Sequence, residues 1–136
     1  MATNKIVANL QGGLQSRARV AANSASFGVG DLVGYDADGF IIPAVAATTI
    51  EGISNETYVA ASDNETVAKY AVSFTAARPG IVLEMEISGG TIAQEDEGEL
   101  FDVSDANTVD GTTEGTGTHL KLVKFISATL GQFEVA

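Results

Sequence analysis

Residues 29–44, "VGDLVGYDADGFIIPA", decide how this chain is read. Asp36, Asp38 and Gly39 have the look of a calcium-loop opening, and equally of a tight turn between two strands. An EF-hand loop needs oxygen ligands at its positions 1, 3 and 5, glycine at 6 and a bidentate glutamate at 12. Counting from Asp36, position 3 is Asp38, but positions 5, 6 and 12 are Phe40, Ile41 and Ala47. Three required positions fail, and no helical pattern flanks the loop. A turn asks for much less: Asp and Gly tolerate positive φ, and apolar runs lie on both sides, Asp31–Tyr35 and Phe40–Pro43. The stretch is a β-hairpin, and the expected metal and cofactor content is none.

The same punctuation continues along the chain. Short apolar runs separated by Gly, Asp and Asn follow Phe27, which is the signature of many short strands. Ile50–Ser54 reads as a strand after "AVAATT", a segment suited to a loop or one helical turn. Val67–Phe74 alternates, with Ala68, Tyr70, Val72 and Phe74 on one face, and reads as a half-buried strand. "ARPG", residues 77–80, has the residue chemistry of a type II turn. "IVLEMEI" then sets Ile81, Leu83, Met85 and Ile87 on one face, with Val82, Glu84 and Glu86 on the other. The acidic stretch after Gly90 reads as one short strand, Glu99–Val103, within loop. "HLKLVKFISA" and "GQFEVA" close the chain as two strands. "GDLVGYDADGFI" at 30–41 and "GELFDVSDANTV" at 98–109 echo each other, suggesting one similar hairpin per half. No apolar stripe of helical spacing is sustained over a dozen residues. The expected fold is mainly β, a small barrel or sandwich of short antiparallel strands with at most one short helix.

The 136 residues suffice for one domain with a real core. No run of about 18 apolar residues is present, so no membrane-spanning segment is expected. The opening "MATNKIVANLQGG" lacks the apolar middle of a secretory signal, giving the expectation of a protein made and assembled in cytoplasm. There is no cysteine, which removes disulfides, thiolate metal sites and thiol nucleophiles together.

Charge divides the chain. Eighteen acids against seven bases give −11, a balance that repels phosphate backbones and argues against nucleic-acid binding. Before Asp31 there is no acid, only Lys5, Arg17 and Arg19; from Asp31 onward eighteen acids face four bases, or −14. Between Arg78 and Lys121 lie ten acids and no lysine or arginine. Residues 1–26 are rich in small and polar side chains and read as a flexible N-terminal arm, with 27–136 as the β-rich body. Ile6, Val7 and Leu10 suit either a strand or a grip on a neighbouring surface.

The catalytic inventory is thin. His119 is the single histidine and opens a strand, where it reads as a surface residue. Nucleophile elbows and phosphate loops are missing. Glu84 and Glu86 share a strand face about 7 Å apart, a spacing glycosidases use, yet the sequence has no tryptophan to line a sugar cleft. The expectation is that the protein is not an enzyme.

The wording "FGVGDLVGYDADGFIIPAVAATTIEGISNE", residues 27–56, resembles the head-decoration or capsid-cement proteins of tailed phages, the group that includes lambda-type head decoration. A hairpin there leads into a Pro-Ala small-residue segment and then a strand marked Ile-Gly. The acidic insertion, residues 95–117, departs from that pattern. The resemblance implies a structural virion protein on the outer surface of the expanded capsid, a trimer bound to the major capsid protein and stiffening its lattice, without chemistry. Lys5, Ile6, Val7, Leu10, Arg17 and Arg19 are then the candidate capsid contacts, able to add a strand and charge to the shell. The competing expectations are a β-rich head-fibre or tail-associated module that recognises a host glycan, and a small hydrolase.

Overall fold

The computed structural model describes residues 4–9, 14–46 and 49–136, with the side chains of residues 5 and 7–9 outside that description. In chain order the first strands are β1 (Lys5–Asn9), β2 (Ser16–Val20), β3 (Ser26–Phe27), β4 (Leu32–Tyr35), β5 (Ile41–Pro43), β6 (Gly52–Ser54) and β7 (Tyr58–Val59). They are followed by β8 (Ala71–Ala76), β9 (Ile81–Ser88), β10 (Leu100–Asp105), β11 (Thr108–Asp110), β12 (Leu120–Ser127) and β13 (Leu130–Val135). Helical structure among the described residues is confined to single turns at Asn64–Ala68, Gln94–Asp96 and Gly111–Thr113. The fold is mainly β, as the punctuation of the sequence requires.

The C-terminal half closes on itself. The order β9-β11-β10-β12-β13 returns to β9 through the β13–β9 pairing, making a five-stranded barrel. All its ladders are antiparallel except β11 on β9, which is parallel (Thr108 opposite Glu86). The alternation of "IVLEMEI" is realised: Ile81, Leu83 and Met85 are fully buried while Glu86 is exposed. They meet Phe101, Leu120, Leu122 and Phe133 inside, with Phe101 and Phe133 edge to face at 5.7 Å. Burying these aliphatic side chains and rings drives the barrel's closure.

The other sheet runs β2-β8-β6-β4-β5, and its two ends approach at a bridge between Ala21 and Ile41. Its middle strands are buried on both faces, because Leu32 and Ile53 join the barrel's core while Val33, Val72 and Phe74 form a second core with Phe27 and Ala60, whereas β2 is exposed. Adjacent residues Leu32 and Val33 point to opposite sides of β4, so one apolar pair serves two cores.

"DADG" is a turn. Asp36 Oδ1 accepts from Asp38 N at 2.9 Å and Phe40 N at 3.0 Å, and Gly39 takes φ +86°. The carboxylate is spent on its own loop. The echoed stretch forms a second hairpin, β10–β11, whose Asp105 likewise accepts from Asn107 N. That turn docks on the first hairpin, with Leu32 N donating to Ala106 O at 2.8 Å and Val45 bridging Asp105.

Three expectations need correction. Val67–Phe74 is not one strand: a π-type turn occupies Asn64–Ala68, Lys69 is left-handed at φ +51°, and β8 begins only at Ala71. The acidic stretch holds β11 as well as β10, since Val109 is an inward residue that the barrel needs. The segment read as an arm, residues 1–26, contributes two strands laid on the body among its described residues. β1 pairs with β9, β2 pairs with β8, and Ala21 and Ala22 are buried. Pairing satisfies backbone groups that an extended segment would leave to water, and those of β8 and β9 opposite them. The turn read at "ARPG" lies one residue further on, over residues 78–81, with Gly80 at φ +98° and Ile81 N donating to Arg78 O at 3.3 Å.

Candidate functional site

The acid-free segment reaches the body at the junction of the two sheets. Asn4 is buried and its Nδ2 donates to Ala106 O at 2.9 Å, the same carbonyl that receives Leu32 N. This fixes the amide's orientation and leaves Oδ1 without a hydrogen-bond partner. Ile6 packs against the barrel core. Asn4 and Ile6 form one wall of a cleft of about 290 Å³, completed by Val29, Gly30, Ile53, Ser54 and Asn55. The floor of the cleft is thus the resemblance-bearing stretch, and its wall is β1.

The six candidate contacts separate. Lys5 and Val7 lie in β1, an edge strand of the barrel sheet, by backbone alone, and Leu10 lies outside the described residues. Ile6 is turned inward and is a packing residue. Arg17 and Arg19 lie on β2, opposite Phe74 and Val72 of β8. Arg19 is held to the body: its guanidinium lies 3.9 Å from the Tyr35 ring centroid and Nη1 donates to Gly39 O at 3.1 Å. Arg17 is exposed, and among the described residues its guanidinium bonds Gln15, two residues away, at 3.2 Å. Arg17 is the arginine most available to another molecule.

The other candidates resolve into structural roles. His119 is half-buried, with Nδ1 2.9 Å from Asp102 Oδ1, which also accepts from Thr118 N. Together these tie the start of β12 to β10. Glu84 and Glu86 lie on the outer side of β9, opposite Gln132 and Leu130 of β13. In the acidic loops, the Asp96 carboxyl accepts from Ala93 N at 2.8 Å, and its hydrogen bond with Glu114 raises the Glu114 carboxyl above its ordinary value. Among the described residues no group of three or more histidines and acids is arranged to hold a metal ion.

The residues that sequence reasoning missed are Asn4, Asn64 and the group Glu56, Tyr58 and Tyr70. Tyr58 and Tyr70 stack with centroids 4.1 Å apart, and the Tyr70 hydroxyl donates to Glu56 Oε1 at 2.5 Å. Treating Tyr70 as the inward face of a strand hid this. The available signal was "SDNET", residues 62–66, a cluster of loop formers that opens the turn at Asn64–Ala68. Compared with known proteins, the chain matches no family model and no curated sequence.

Proposed function

We propose that this is a structural protein of a tailed-phage virion, which binds the outer surface of the expanded capsid and stiffens the lattice of the major capsid protein. The single observation that carries this reading is the position of the acid-free segment. Its two strands lie at sheet edges, β1 on the barrel and β2 against β8, while the eighteen acids are all in the rest of the chain. Edge strands offer free backbone donors and acceptors for strand addition, and Arg17 adds a cation aimed at solvent. An acidic body of −14 keeps neighbouring copies apart except where the lattice holds them. The wording of residues 27–56 supports the same reading: its β4, β5 and β6 are neighbours in one sheet, and Val29, Gly30 and residues 53–55 from the same stretch line the cleft. Bound as trimers, many copies of a modest contact would bridge capsomers and gain strength from repetition. The role is mechanical, without a reaction.

The direct test mixes purified protein with cognate expanded shells that lack it, followed by sedimentation. Near-stoichiometric recovery in the shell fraction is expected. Arg17→Glu should weaken recovery, and more so at low salt, since exposed charge contacts are screened by salt. Protein that stays wholly in the supernatant would overturn the reading.

A further inference from the structure

Tyr58, in β7, and Tyr70, before β8, stack at an interplanar angle of 25°, and Tyr70 remains 41% exposed. Beside them in sequence, Val59 and Val67 are 67% and 72% exposed. The chain goes to some length to hold this ring in water. Lys69, immediately before it, adopts the left-handed conformation, which costs a lysine free energy. The fully buried Asn64 binds both backbone groups of Tyr70: Nδ2 donates to Tyr70 O at 3.2 Å, and Oδ1 accepts from Tyr70 N at 3.1 Å. The same Nδ2 donates to Ala21 O at 2.8 Å. Glu56 fixes the other end, accepting from the Tyr70 hydroxyl on Oε1 and from Ser73 N on Oε2 at 2.9 Å. The hydrogen bond to its carboxylate raises the Tyr70 phenol above the ordinary value.

The result is a rigid aromatic face with a carboxylate at its rim. Among the described residues two of the roughly four acceptor positions of Glu56 are used, and the residue is partly exposed. A guanidinium suits both features at once: its plane stacks on the ring, and its N–H groups reach the carboxylate. The chain already makes such a contact internally, with Arg19 over Tyr35. The sequence around the site is acidic, with Glu51, Glu56, Asp63 and Glu65 against Lys69 in residues 50–77. A neutral sugar would use the ring and gain nothing from the Glu56 charge.

We propose that the Tyr58–Tyr70 stack and Glu56 form a docking site for an arginine side chain presented by a partner protein. The site borders the end of β2, where Ala21 N donates to Tyr70 O, and the cleft, where Ser54 Oγ donates to Glu56 O, and it stands whether or not that partner is a capsid shell. The test is an NMR titration of the full chain with N-acetyl-arginine amide, against its neutral isostere N-acetyl-citrulline amide and a methyl glycoside. The arginine compound should saturably shift the Tyr70 ring and the Ser73 amide, binding about fivefold or more tighter than the citrulline compound. Tyr70→Ala and Glu56→Gln should each lose about that factor, while Glu86→Gln, which removes an equal charge from the barrel, should change nothing. Glu56→Gln keeps the ring stack, so it remains decisive if Tyr70→Ala fails to fold. Equal binding of arginine and citrulline, an equal loss in Glu86→Gln, saturation by the glycoside alone, or no shift with any probe would each overturn the proposal.

Discussion

Asp31 shows how a single buried group records its surroundings. Burial raises its carboxyl above the ordinary 3.8, against the pull of hydrogen bonds from Gly28 N and the Asn107 side chain, while the Asp105 charge adds to the rise. An acid whose folded pKa lies above its unfolded one binds its proton more tightly when folded. Its favourable contribution is therefore present at low pH and is lost as pH climbs from 3.8 through the folded value. Asp31→Asn keeps an acceptor for Gly28 N but cannot titrate. The melting temperature of the native chain minus that of the variant should fall as pH rises from about 3 to about 7, and a difference that grows over that range would contradict the assignment. Gly117 makes a steric prediction. It is buried, and a methyl group there would land on the backbone of Phe101 and Asp102. Gly117→Ala should cost about 3 kcal/mol or more, read from chemical denaturation, because backbone on a closed barrel strand has nowhere to go.

Among the elements, β1 and β2 carry the sharpest prediction. As a loose arm, residues 2–20 would be dispensable to folding. As paired strands, they cover the edges of β9 and β8 and bring Asn4 to Ala106. Their deletion should lower the melting temperature by more than about 10 °C or leave the chain insoluble. An unchanged melting temperature would restore the arm. The hairpins, by contrast, were legible. "DADG" between apolar runs can satisfy its backbone within four residues, so local chemistry decides it, and "IVLEMEI" alternates because one side faces a barrel interior. The break at Lys69 was not legible, because what compensates its positive φ is Asn64, whose amide bonds Ala21 from 43 residues away. Long-range partners of that sort leave no periodic trace. The pairing of β1 was hidden for a similar reason: the strand it completes, β9, lies more than 70 residues on.

At the scale of the molecule, two cores share one sheet, and the turn of the second hairpin sits on the first, so the halves of the chain brace each other. The site was legible only in its charge. An acid-free beginning and an acidic remainder can be counted in the sequence, but composition cannot say that Arg19 is committed to Tyr35 while Arg17 is exposed. Nor could it foresee that Tyr70 stacks on Tyr58 at the rim of the second core and stays partly exposed. The proposed role, an external brace on a phage capsid, is decided by a cryo-electron microscopy reconstruction of cognate expanded shells, with and without added protein. Extra density is expected on the outer surface at repeated lattice positions, with β1 and β2 turned toward the shell. Identical reconstructions, or density confined to a single vertex or the shell interior, would contradict that role.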